Sequence, residues 1–267
     1  PVALLLQGVP LAELFAHIHG HGSLGVGALD LRAEAALDDD IEPLSDEAPA
    51  AGGVLLTGAT GHVGAAVLKE LLTSGGPLNP VHVLVRASST ADAHRRLAGA
   101  FQARGYGELG PGVVAVAGDL EQPGLGVQDQ EQLRSIGTII HSAAAVDHLR
   151  SYGSLRAANV DAVKRLLQLA VSGVPKRMLL LSTESAGGVL SGGYAQTKWV
   201  AEQLVLAAHR RGVQADVMRL GLVAFDRRTG AANAQDWMNR YIGGCVELGK
   251  YHKPTTLTCE SACRGCR

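Results

Sequence analysis

A short apolar run, Val54-Leu-Leu-Thr57, leads directly into glycines at 58, 61 and 64 and then into a helix-forming stretch over residues 65–72. A strand that turns on glycine into a helix leaves the helix's first N–H groups facing a loop of small residues, which is a site for a phosphate. Gly58 permits the tight turn, Gly61 lets the backbone approach the phosphates, and Gly64 allows close packing of helix on strand. Thr57, Thr60, His62 and Val63 complete this candidate phosphate loop. The combination predicts the first βαβ unit of a dinucleotide-binding domain.

From residue 53 onward, strand and helix patterns alternate. Strands are expected at 54–57, 81–85, 113–117, 138–141, 176–181 and 214–219, and helices near 62–74, 89–104, 129–135, 152–172 and 194–211. Such alternation implies an α/β fold, a Rossmann-type doubly wound parallel sheet with right-handed crossovers and the ligand at the C-terminal edge of the strands.

A second motif, Tyr194-Ala-Gln-Thr-Lys198, falls on the last of these helices. Residues four apart share a helix face, so the phenol and the ammonium point into one space. A neighbouring ammonium favours the phenolate, which predicts a lowered Tyr194 pKa and a phenol able to hand a proton to a carbonyl oxygen. Upstream, an apolar strand ends in Ser182-Thr183-Glu184-Ser185, and a hydroxyl there can orient the same oxygen. Thr183 is the first choice and Ser185 the second. At the end of the second strand stands Arg86, where a carboxylate would select NAD; a guanidinium favours the 2′-phosphate of NADP, with Arg95 and Arg96 in reserve.

With these motifs in place, the chain resembles the extended short-chain dehydrogenases and, among them, the thioester reductase domains that end nonribosomal peptide and polyketide synthases. The resemblance also rests on Val83-Leu-Val-Arg-Ala87, Gly118-Asp-Leu120, His141-Ser-Ala-Ala-Ala-Val146, Asn159-Val160, Arg219-Leu-Gly221 and Thr229-Gly230. Its most specific piece is Gly193-Tyr-Ala-Gln-Thr-Lys-Trp-Val-Ala-Glu202, and it covers roughly residues 53–250. It implies catalysis by Thr183, Tyr194 and Lys198. It also implies NADP(H) contacts from Asp119, Leu120, Ala143, Ala144, Ala145, Asn159 and Leu220, besides the phosphate loop, Arg86, Tyr194 and Lys198. The activity implied is NAD(P)H-dependent release of an acyl or peptidyl thioester from a phosphopantetheinylated carrier protein, as an aldehyde or further as an alcohol. Nucleotide-sugar epimerases, fatty acyl-CoA reductases and a non-catalytic NADP-binding fragment are the rival readings.

The resemblance also organises the ends. Residues 1–20 resemble the close of a carrier domain, 21–52 read as a linker, 53–225 as the NADP-binding domain and 226–250 as the start of a substrate-binding region. Residues 251–267 depart from the family pattern, so the C-terminal substrate domain is expected to be truncated and the tail disordered. Ser23-Leu24 lies too close to the first strand to be a carrier's modified serine. Three of the four cysteines, Cys259, Cys263 and Cys266, crowd into that tail, which suits neither a disulfide framework nor a metal centre. His141 and His148 lack further ligands at metal spacing, and His141 is expected to be a buried, hydrogen-bonded residue. A net charge of −1 gives no nucleic-acid signature, and neither a membrane-length apolar segment nor a signal peptide is visible, so the expected compartment is the cytoplasm.

Overall fold

The computed structural model describes residues 29–44, 52–74, 80–188, 190, 192–233 and 236–250; the carrier-like N-terminal stretch, Ser23 and the three tail cysteines lie outside them. Two compact units divide at Val223 and Ala224. The first holds a six-stranded, all-parallel sheet: β1 (Val54–Thr57), β2 (Val81–Arg86), β3 (Val113–Gly118), β4 (Thr138–His141), β5 (Arg177–Thr183) and β6 (Ala215–Leu220). Their spatial order is β3-β2-β1-β4-β5-β6, so the winding direction reverses between β1 and β4. In open α/β sheets that reversal opens a crevice at the strand ends.

The helices of this unit are α1 (Leu31–Glu34), α2 (His62–Thr73), α3 (Thr90–Gln102), α4 (Glu131–Arg134), α5 (Tyr152–Arg156), α6 (Ala162–Ala170) and α7 (Gly192–Arg210). Successive strand residues point to opposite faces, and each face feeds its own core. Leu55, Ile139 and Leu180 pack with Val160, Leu166, Val200 and Leu204 on one side. Leu56, Val83 and Val85 pack with Leu68, Leu97 and Phe101 on the other.

Two departures from the sequence reading bear on the site. The helix expected over 152–172 is interrupted by a π turn, Ala157–Asp161, between α5 and α6. The fifth strand runs to Thr183, two residues further than its apolar run, because the polar pair Ser182 and Thr183 still registers against Arg219 and Leu220 of β6. Residues 31–41, read as linker, are also built into the body of the unit: Ile41 is fully buried and Leu37 joins the same core.

The second unit carries α8 (Trp237–Leu248), begun by Asp236, whose carboxylate accepts from Met238 N, and ended by Gly249 in the left-handed region (φ 60°). Among the described residues, no helix is long and apolar enough to cross a membrane.

Candidate active site

The glycine loop is sterically specified at two of its three positions. Gly58 adopts φ +78°, and a Cβ there would lie 2.5 Å from Ala143 N. At Gly64 a Cβ would lie 2.2 Å from the Gly58 carbonyl oxygen, so the helix can rest on its own loop only without a side chain. Gly61 is looser, with that oxygen at 3.1 Å. It begins α2 with no side-chain cap, leaving the positive end of the helix uncovered by side chains. A cradle of this kind fits a pyrophosphate.

Thr57 and His141 lie beneath this loop. Thr57 is fully buried; its hydroxyl meets His141 Nδ1 at 2.7 Å and accepts from Ala143 N at 3.3 Å. The sequence placed Thr57 among the cofactor contacts. Its hydroxyl is instead engaged in clipping β1 to β4 and to the loop after it. Burial, with the Lys198 charge as a lesser cause, drops the His141 pKa to about 3, so the imidazole is neutral at ordinary pH.

At the ends of β2 and β3 two adjoining cavities open. One, about 150 Å³, is lined by Gly58, Thr60, Arg86, Asp119, Leu120 and Ala143, among others. The second, about 400 Å³, shares Arg86, Leu120 and Ala143 and adds Ala144, Ala145, Glu121, Arg150, Ser154 and Ala158. The sequence-selected groups at 86, 119, 120 and 143–145 thus converge on one groove. Arg86 is already engaged there, 2.5 Å from Glu121 Oε1 and 3.4 Å from Asp119 Oδ2. The two reserve arginines hold elsewhere: Arg96 donates to the Arg86 carbonyl and Arg95 pairs with Asp92. Glu121 and Arg150 were missed, because the Gly118-Asp-Leu120 pattern stops one residue short of Glu121 and nothing marks a residue on a long loop.

Asn159 sits in the π turn, 2 % exposed. Its Oδ1 accepts from Ala145 N (2.7 Å), and its Nδ2 donates to the Ala145 carbonyl (3.1 Å) and to Thr197 Oγ1 (3.0 Å). Thr197 in turn donates to the Tyr194 carbonyl at 2.8 Å. The loop after β4 and the second turn of α7 are therefore joined through one amide. Gly193 contributes a second constraint, since a Cβ there would lie 2.4 Å from the Ser151 carbonyl carbon. The glycine before Tyr194 thus lets α7 start against the start of α5.

On α7 the Tyr194 ring stands edge-on to His148, centroids 5.4 Å apart. Lys198 is buried and donates to the Leu181 carbonyl at 2.9 Å. Two residues on, at the end of β5, Thr183 Oγ1 and Ser185 Oγ lie 2.8 Å apart, so the first and second choices for a catalytic hydroxyl form one pair. The expectation that Lys198 lowers the Tyr194 pKa is corrected: burial raises it. The same burial brings Lys198 down to about 8, against a smaller opposing effect of Glu202, and its ammonium is turned to a backbone carbonyl. Glu202 continues the face of Tyr194 and Lys198 at i+8; it is 1 % exposed and accepts from Arg219 Nε and Nη2 at 2.7–3.1 Å. Leu220 ends β6 opposite Thr183.

A six-stranded sheet in this order, with a glycine cradle at its reversal and a Tyr–Lys helix beside the β5 end, is the architecture of the extended short-chain dehydrogenase/reductase type, which takes a nicotinamide cofactor. A family model described as "Male sterility protein" matches residues 56–191 and 185–259, and the terminal R domain of the myxalamid PKS-NRPS pathway is similar in structure (TM-score 0.75, 35 % identity, 82 % of this chain and 62 % of that one). The chain belongs to this NAD-binding family and, within it, to the thioester reductase domains of nonribosomal peptide and polyketide synthases. It is 32 % identical over 231 residues to the L-2-aminoadipate reductase large subunit of Penicillium chrysogenum, covering 73 % of this chain and 16 % of that protein. To a linear gramicidin synthase polypeptide of Brevibacillus parabrevis it is 31 % identical over 272 residues, covering 90 % of this chain and 5 % of that protein. The chain therefore spans only a small part of these much longer relatives.

Proposed function

We propose that this chain carries the cofactor-binding and proton-donating part of a reductase that releases an acyl or peptidyl thioester from a phosphopantetheinylated carrier protein. The observation that carries the reading is the clip of α7 to the end of β5 through Lys198. Lys198 rests on the Leu181 carbonyl, two residues before the Thr183–Ser185 hydroxyl pair, and shares a helix face with Tyr194.

NADPH, when bound, supplies hydride to the thioester carbon. Thr183 and Tyr194 donate hydrogen bonds to the carbonyl oxygen, where negative charge develops. Tyr194 gives up its proton there; its raised pKa keeps it protonated, and so a competent acid, across the working range. Lys198, on the same helix face and in its ammonium form, holds the nicotinamide ribose. Loss of the thiol leaves an aldehyde, and a second round gives an alcohol. The glycine cradle holds the pyrophosphate, Arg86 faces the 2′-phosphate, Asp119 and Leu120 line the adenosine end, and residues 143–145 run along the ribose and nicotinamide, in a protein of the cytoplasm. Similarity to linear gramicidin synthase supports the choice of a tethered substrate.

The test is NADPH consumption with an acyl thioester presented on a carrier protein and as a free mimic, beside Tyr194→Phe. Turnover with aldehyde or alcohol formation, lost in Tyr194→Phe, is the expected result. Activity should fall as pH rises past about 8, where Lys198 loses its proton. Cofactor binding with no turnover of either thioester would leave a dinucleotide-binding unit and overturn the reductase reading.

A further inference from the structure

The adenosine end of the groove contains its own competitor for the cofactor's phosphate. Arg86 lines both cavities, and its Nη2 is 2.5 Å from Glu121 Oε1, itself part of the larger cavity's wall. Asp119 stands 3.4 Å from the Arg86 Nε. Arg150 contributes the second cation of that wall, donating to the Ser154 carbonyl. Two cations thus face two carboxylates, and the groove offers no net positive charge to a dianion.

Glu121 is held there by its backbone. Its N–H donates to Asp119 Oδ1, and Arg165 donates to the neighbouring Leu120 carbonyl. The chain then turns through three residues of positive φ, Gly124, Leu125 and Gly126, which return the Leu125 carbonyl to Asp119 N at 2.7 Å. Leu125 takes this conformation while buried, a strain that surrounding contacts must offset. Gln130 fastens the same turn through the Gly124 and Val127 carbonyls. The carboxylate of Glu121 can rotate, but its Cα cannot drift from Arg86.

We propose that Glu121 sets how far this site distinguishes a 2′-phosphorylated from an unphosphorylated dinucleotide, by occupying the guanidinium that the 2′-phosphate needs. This rests on the nicotinamide-cofactor reading above. A 2′-phosphate must displace Glu121 from Arg86 and meets its charge nearby. A free ribose hydroxyl needs no such displacement and finds in Glu121 an acceptor. Glu121 is a specificity determinant and takes no part in the chemistry. Its neutralisation therefore strengthens binding of the phosphorylated ligand and weakens that of the other.

The experiment is equilibrium binding of adenosine 2′,5′-bisphosphate and adenosine 5′-monophosphate, with NADPH and NADH alongside, to the full chain and to Glu121→Gln at fixed low ionic strength. One charge at ion-pair distance in a solvated groove predicts a rise of about five-fold in the bisphosphate-to-monophosphate affinity ratio, shrinking with added salt. Arg86→Ala should shrink the effect of Glu121→Gln in the double variant, leaving only the direct repulsion between Glu121 and the phosphate. An unchanged or reduced ratio in Glu121→Gln, with the wild-type chain binding both nucleotides, overturns this proposal and leaves the cofactor reading standing. Failure of the wild-type chain to bind any of the four ligands overturns both.

Discussion

A buried histidine held neutral ties part of the acid stability to one side chain. His141 is wholly enclosed, its Nδ1 on Thr57, and its pKa is about 3 against an ordinary value of 6.5. Between those two values the unfolded chain binds a proton that the folded chain refuses, so the folded state loses ground as pH falls through that window and is unaffected above it. From pH 7 to pH 5 this amounts to about 2 kcal/mol. Urea titrations at the two pH values should show that loss in the wild-type chain and a clearly smaller one in His141→Gln. Equal losses in the two would mean that His141 is not the group responsible. The sequence indicated the burial, since an imidazole closing an apolar strand has nowhere else to go. It did not indicate the partner, which lies 84 positions earlier.

The π turn is the element that brings Asn159 to its three partners. An extra residue in a helical turn rotates the next turn of the helix and leaves a side chain aimed where a regular helix would not place it. Here the amide lands on both polar groups of Ala145 and on Thr197. Asn159→Ala leaves these buried groups without their partner and should cost about 2–3 kcal/mol. Faster hydrogen exchange is expected at the Ala145 amide, with the rest of the sheet unchanged. Exchange at Ala145 as slow as in the wild-type chain would show that the loop is held by other contacts. Strands and helices were legible here because hydrophobic period and glycine punctuation are local. The same local signals carried Gly58, Gly64, Tyr194 and Lys198. The π turn was not legible, since Ala-Ala-Asn-Val-Asp scans as ordinary helix. The state of Tyr194 was misjudged because helix spacing says which side chains are neighbours and not which partner Lys198 chooses.

At the scale of the whole unit, the segment before the first strand decides where the fold begins. The sequence reading made residues 21–52 a linker, and within the described part that reading misses a set of long-range contacts. Glu34 pairs with Arg156 and accepts from the Tyr152 hydroxyl; Asp38 pairs with Lys164; Arg211 donates to the carbonyls of Leu37, Asp38 and Ile41. Arg156 and Lys164 flank the π turn, so the strap braces the helix that positions Asn159. Exposed ion pairs contribute little each, and the stronger anchor is apolar. Ile41 is fully buried, whereas Leu44, three residues later, is 48 % exposed. Ile41→Ala should therefore cost about 2–5 kcal/mol, and Leu44→Ala no more than about 0.5 kcal/mol. Urea denaturation followed by far-ultraviolet circular dichroism distinguishes the two, with the slope unchanged and the Ile41→Ala midpoint alone displaced. Should both variants unfold with the wild-type midpoint, the strap is only draped on the sheet domain, and the stable unit starts at β1.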